Sequence, residues 1–123
     1  MHTKEWRTMY HKLFRLNKTF ETTKTFTQEW RTMYELNVLG LSMCTQEACK
    51  LMEQSGVSDG HVVMLNSVAG HNVLNLAVFY SSTKFAVTCL AEGLRQELRA
   101  KKSKIRVTSI SPGAIKTPFL TKY

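Results

Sequence analysis

The chain has 123 residues, 43% of them hydrophobic and 21% charged, which fits one globular domain and excludes a disordered polar chain. No apolar run reaches the roughly 18 residues of a membrane-spanning helix, and the N-terminal MHTKEWRTMYHKLF lacks the apolar block and cleavage site of a secretory signal. The net charge of +8 comes mainly from residues 1–26, with six Lys/Arg against two Glu, and from residues 95–122, with eight against Glu97 alone.

The second basic cluster closes a helix, where cations complement the helix dipole. No basic motif interleaved with aromatics supports base stacking, so a nucleic-acid partner is not expected. Three cysteines, Cys44, Cys49 and Cys89, fall in helical stretches without CxxC spacing. They read as buried, inert thiols in a reducing, cytoplasmic setting. The four histidines are scattered, and no metal is expected.

In chain order, residues 1–26 read as a basic arm. TKEWRTMY at Thr3 to Tyr10 returns as TQEWRTMY at Thr27 to Tyr34, twenty-four residues on. Two copies do not make a solenoid, and the first reads as a duplication without an assigned role.

Residues 27–54 read as a helix. Thr27 can cap it, and Trp30, Met33, Leu36 or Asn37, Leu41 and Cys44 recur at helical spacing. SGVSDG stops it. HVVMLNS, residues 61–67, is a short apolar run expected to form a strand buried on both faces. VAGHNVLNLAV is a loop. Residues 80–100 form a second helix with a stripe of Val87, Leu90, Ala91, Leu94 and Leu98. Gly93 inside it lowers helix propensity by about 1 kcal/mol against alanine, which suggests a close helix contact. IRVTSIS, residues 105–111, is a second strand, ended by Pro112 and Gly113.

Strand, helix, strand makes a βαβ unit with parallel strands, hence an α/β class. Ligands in such sheets lie beyond the carboxyl ends of the strands. Ser67 closes the first strand and Pro112-Gly113 follow the second, so both fall where a site belongs.

Tyr80 and Lys84 stand four apart at the beginning of a helix and share a face. A phenol is a poor acid or base near neutrality, and a cation beside it favours the phenolate. Ser67, thirteen positions before Tyr80, can hydrogen-bond the oxygen of a carbonyl or alcohol. Together they form a positioned acid/base and a polarising donor, the parts needed to move a proton while a hydride moves elsewhere. A Tyr and a Lys four apart also occur on many helices without any chemistry.

NSVAG with Ser67, YSSTKFAV with Tyr80 and Lys84, ELNVLG with Asn37, and SPGAIKTPF stand in the order of the short-chain dehydrogenase/reductase family, and the chain resembles that family over residues 27–119. DGHVVMLNSVAGH and LAEGLRQELR are most similar to the branch of insect farnesol dehydrogenases and vertebrate dehydrogenase/reductase relatives. The resemblance implies NAD(P)-dependent interconversion of an alcohol and a carbonyl, on a farnesol-like, retinoid or steroid-like substrate, with NADP ahead of NAD. It implies Tyr80 as general acid and base. Lys84 would lower the Tyr80 pKa and bind the nicotinamide ribose, Ser67 would orient the substrate oxygen, and Asn37 would hold a relay water. Pro112, Gly113, Ile115 and Thr117 would contact the nicotinamide. It also implies a homo-oligomer formed through helices 27–54 and 80–100.

The expected fold is a partial doubly wound, Rossmann-like parallel sheet, truncated and lacking the N-terminal βαβ cofactor half. Residues 27–123 form the partial catalytic domain. Of six glycines, only Gly56 and Gly60 mimic part of the phosphate-binding turn, and they lie between a helix and a strand, the reverse of the required context. Catalysis would then be impaired, and the alternative reading is a non-catalytic fragment that associates with full-length subunits through its two long helices.

Overall fold

A computed structural model describes residues 24–75 and 77–115. Helix α1 spans Lys24–Tyr34, passes into a π-helical turn over Glu35–Gly40, and continues as α2 over Leu41–Gln54. Strand β1 is His61–Leu65, a 3-10 turn occupies Val68–Gly70, helix α3 is Val78–Ala100, and strand β2 is Arg106–Ile110.

The first helix starts three residues ahead of Thr27, and α3 starts two residues ahead of Tyr80. Both strands are shorter than their apolar runs, because the chain turns into the site segments at Asn66 and Ser111. The duplicated segment at Thr3 to Tyr10 and the rest of residues 1–23 lie outside the described residues. So do residues 116–123.

Strands β1 and β2 pair in parallel, His61 opposite Arg106 through Leu65 opposite Ile110, with α3 as the crossover. The α/β class and the βαβ unit therefore stand as expected from the sequence. Val62 and Met64 point into a core shared with Val87 and Ala91 of α3, and Leu41, Cys49, Met52 and Leu94 pack around it. Helices α2 and α3 thus cover one face of the sheet.

The other face is open among the described residues: His61, Val63 and Leu65 are exposed in strict alternation with buried Val62 and Met64. The expectation of a strand buried on both faces is corrected here. An unbroken apolar run signals what a strand can tolerate, while burial depends on which layers are packed against it. Leu65 remains 64% exposed.

Two further expectations are corrected. Cys44 and Cys89 are exposed and only Cys49 is partly covered, because the apolar stripes of α2 and α3 that meet the sheet pass to one side of them. Gly93 makes no close helix contact among the described residues. A Cβ there would meet nothing within 4 Å, and the residue lines an open groove of about 720 Å³ between α2 and α3.

An aromatic cluster fixes α1 to the beginning of α3. Trp30 stacks on Phe79 with ring centroids 4.6 Å apart, Tyr34 meets the same ring edge-on at 5.4 Å, and the Tyr34 and Ser82 hydroxyls are hydrogen-bonded at 3.1 Å. Offset and edge-to-face pairs of this kind add about 0.5–1.5 kcal/mol each beyond their buried area. They set the angle at which the π turn, and Asn37 within it, approaches α3.

Candidate active site

Both strands end at the same level, and the segments that follow are tied together. Asn66 N–H donates to the Ile110 carbonyl at 2.7 Å and Val68 N–H to the Pro112 carbonyl at 3.1 Å. Ser67 sits between these ties in extended backbone and caps the 3-10 turn, its hydroxyl accepting from Ala69 N–H at 3.1 Å. That bond uses an oxygen lone pair and leaves the serine proton to be donated outward. It is donated to the Tyr80 oxygen, which pulls the phenol pKa down.

Tyr80 and Lys84 lie in the first two turns of α3, both half-buried. Lys84 Nζ donates to the Leu65 carbonyl at 3.2 Å and stands 5.8 Å from the centre of the Tyr80 ring. The structure therefore gathers Ser67, Tyr80 and Lys84 at the carboxyl ends of the strands.

Burial dominates the electrostatics of the pair. Burial pushes the Tyr80 phenol above its ordinary value, and the Ser67 hydrogen bond recovers part of that rise. Burial also draws the Lys84 ammonium below the ordinary lysine value. Desolvation disfavours both charged forms, so the pair rests as a neutral phenol beside a weakened cation.

Asn37 is carried by the π turn, a widened turn of a kind often found at functional sites. Its amide nitrogen donates to the Thr83 hydroxyl at 3.1 Å, and that hydroxyl donates to the Tyr80 carbonyl at 2.7 Å. Asn37 thus joins the helix turn that bears Tyr80. Pro112, Gly113 and Ile115 follow β2, and Ile115 is exposed. A Cβ on Gly113 would meet no described residue within 4 Å. Thr117 lies outside the described residues.

Sequence reasoning missed Asn66, Gly70, Thr83 and Thr88. Asn66 is 4% exposed, and its amide nitrogen donates to the Thr88 hydroxyl at 2.8 Å. Thr88 stands one turn after Lys84, so Tyr80, Lys84 and Thr88 continue one helix face at intervals of four. That spacing was the available signal.

Comparison with known proteins agrees with this geometry. The family model described as short chain dehydrogenase matches residues 16–123. The chain is 54% identical over 91 residues to the human protein named dehydrogenase/reductase SDR family member 11, covering 72% of this chain and 35% of that one. It is 46% identical over 88 residues to farnesol dehydrogenase of Aedes aegypti, covering 70% of this chain and 36% of that one.

Among solved structures, ElxO with NADP bound superposes with a TM-score of 0.69 at 34% identity, over 83% of this chain and 38% of that one. An acetoin dehydrogenase from Enterobacter cloacae gives a TM-score of 0.68 at 30% identity, over 81% of this chain and 38% of that one. Parallel strands, a Ser-Tyr-Lys cluster at their carboxyl ends and the matching family model make one assignment: this chain belongs to the short-chain dehydrogenase/reductase family. It spans about a third of the length of the curated relatives it matches.

Proposed function

We propose that this chain carries the proton-transfer end of a nicotinamide-dependent oxidoreductase that interconverts an alcohol and a carbonyl. The observation that carries the reading is the convergence of Ser67, Tyr80 and Lys84 at the ends of β1 and β2, with Ser67 bonded to the Tyr80 oxygen.

A nicotinamide cofactor, when bound, supplies or accepts the hydride in such chemistry. The residues present fit its nicotinamide-ribose end. The Lys84 ammonium and the Tyr80 hydroxyl are donors for the ribose, and among the described residues nothing crowds Gly113, where a flat ring would lie beside Pro112 and Ile115; Thr117 keeps the nicotinamide contact that the family resemblance implies for it. The described residues offer no glycine-rich strand-to-helix turn for the pyrophosphate. NADP stands ahead of NAD in this proposal, supported by the similarity to ElxO with NADP bound.

In the reducing direction, Ser67 turns its one proton from the Tyr80 oxygen to the substrate carbonyl oxygen and fixes its position. Tyr80, neutral because its burial holds the proton on, delivers that proton to the same oxygen as charge develops there. In the oxidising direction the proton returns to Tyr80. Lys84 stands ready to stabilise the transient phenolate. Asn37 is the residue that would hold a relay water, through its amide oxygen, since its amide nitrogen is engaged by Thr83.

The substrate class is a long apolar alcohol or its carbonyl, farnesol-like first and retinoid or steroid-like next, supported by the farnesol dehydrogenase relative. A cytoplasmic, reducing setting belongs to the same proposal and is supported by three free cysteines. The test is reduction of farnesal and of a ketosteroid by the purified chain with NADPH. Turnover lost in Tyr80→Phe supports the reading, and turnover indifferent to that change defeats it.

A second reading rests on the groove between α2 and α3, lined by Leu41, Cys49, Leu90 and Leu94. In it the two long helices pair copies of the chain, or pair the chain with full-length family members, without catalysis of its own. Sedimentation of the chain alone and mixed with a full-length relative distinguishes the two: a mixed species without turnover favours this second reading.

A further inference from the structure

We propose that Thr88 is a positioning residue for Ser67, clasping with one hydroxyl both ends of the Asn66 to Gly70 segment that presents the serine. The inference rests on the proposed role of Ser67 and adds a residue to that site.

The segment leaves β1 at Asn66, carries Ser67, and closes its 3-10 turn at Gly70. Its hydrogen bonds to β2, from Asn66 N–H and Val68 N–H, hold it to the neighbouring strand. They do not register it against α3, the helix that bears Tyr80 and Lys84. Thr88 supplies that registration. Its hydroxyl oxygen accepts from Asn66 Nδ2 at 2.8 Å and its proton goes to the Gly70 carbonyl at 2.8 Å. The Lys84 carbonyl, at 3.3 Å, is the longer alternative for the same proton.

A threonine hydroxyl has one proton and two lone pairs, so both bonds are made at once without conflict. Reversing the Asn66 amide would set its oxygen against Thr88 and claim the proton that Gly70 receives, which fixes the amide orientation. Space at the clasp is minimal. A Cβ on Gly70 would come 2.5 Å from Asn66 Oδ1 and 2.6 Å from the Lys84 carbonyl, so only glycine lets the segment lie this close to α3. One face of α3 therefore carries Tyr80, Lys84 and, at the next interval of four, the anchor for the segment that must deliver Ser67 to Tyr80. Supporting contacts of this kind matter because a misplacement of about 1 Å in a reacting group can cost a hundredfold in rate.

The experiment follows the ionisation of Tyr80 by phenolate absorbance, with the Tyr80→Phe signal subtracted and Lys84 present throughout. Thr88→Val removes the hydroxyl at nearly constant shape, and Thr88→Ser retains it. The expected result is an upward shift of Tyr80 ionisation in Thr88→Val, in the direction of Ser67→Ala. Ser67→Ala with Thr88→Val should show no further shift, and Thr88→Ser should follow the parent curve.

A folded Thr88→Val chain with the parent curve overturns the proposal, as does a Ser67→Ala chain in which Tyr80 is unmoved. If Thr88→Val does not fold, Asn66→Ala cuts one arm of the clasp alone: an upward shift supports the proposal and an unchanged curve overturns it. The readout needs no turnover, so failure of the oxidoreductase reading is recognised separately, by a chain that shows this coupling but reduces no carbonyl.

Discussion

Lys84 holds its ammonium 5.8 Å from the centre of the Tyr80 ring while donating its hydrogen bond to the Leu65 carbonyl at 3.2 Å. The lysine is thus moored to the carboxyl end of β1, half-buried beside a phenol that burial keeps neutral.

That mooring carries a cost in stability. The folded pKa of Lys84 lies below its unfolded value of 10.5. Its contribution to stability is therefore present above the unfolded value and lost as pH falls through the folded one. Near neutrality the buried ammonium opposes folding. Lys84→Met should raise the unfolding temperature at neutral pH, with the advantage shrinking in alkaline buffer. A lower unfolding temperature at neutral pH would show that the Leu65 bond outweighs the desolvation.

Gly70→Ala should destabilise the chain by about 1–3 kcal/mol, the usual range for forcing atoms into a filled space. The added Cβ meets the Lys84 backbone carbonyl, which cannot rotate away as a side chain could. Denaturant unfolding measures the loss, and a change smaller than a few tenths would show that the segment can lift away from α3.

Phe79→Ala should release α1 from α3. Two aromatic contacts of about 0.5–1.5 kcal/mol each predict a loss of about 1–3 kcal/mol. In a Trp6→Phe background, Trp30 emission should shift to the red as its stacking partner at 4.6 Å disappears. Unchanged emission would mean that α1 is held by other contacts.

How far the sequence reveals this molecule depends on how local each feature is. The periodicity of Val87, Ala91 and Leu94 marks α3, and the apolar runs mark both strands, because each pattern is complete within one element. Tyr80 and Lys84 are legible for the same reason, four apart on one helix. The π turn around Asn37 is not: a helix that widens by one residue leaves the apolar spacing nearly intact. The Thr88 clasp joins three segments distant in the chain, and no single stretch encodes it. The open face of β1 is hidden from sequence reasoning because Val63 and Leu65 show what the strand tolerates rather than what packs on it. The exposed cysteines are hidden similarly, since Cys44 and Cys89 lie on helices whose buried faces point elsewhere.

The thiols give a direct check on that correction. Cys44 and Cys89 are exposed, while Cys49 is partly covered and burial raises its pKa. A thiol-specific disulfide reagent should label two cysteines quickly and the third slowly, because the thiolate is the reacting form. Three equal rates would mean that α2 does not pack against the core at Cys49.

Whether Ser67, Tyr80 and Lys84 form the nicotinamide end of a hydride-transfer site is decided by fluorescence titration of the purified 123-residue chain with NADPH, beside Lys84→Ala. Saturable binding by the parent chain, lost or strongly weakened in Lys84→Ala, is the expected result. Undiminished binding by Lys84→Ala, or no binding by a folded parent chain, would contradict the assignment.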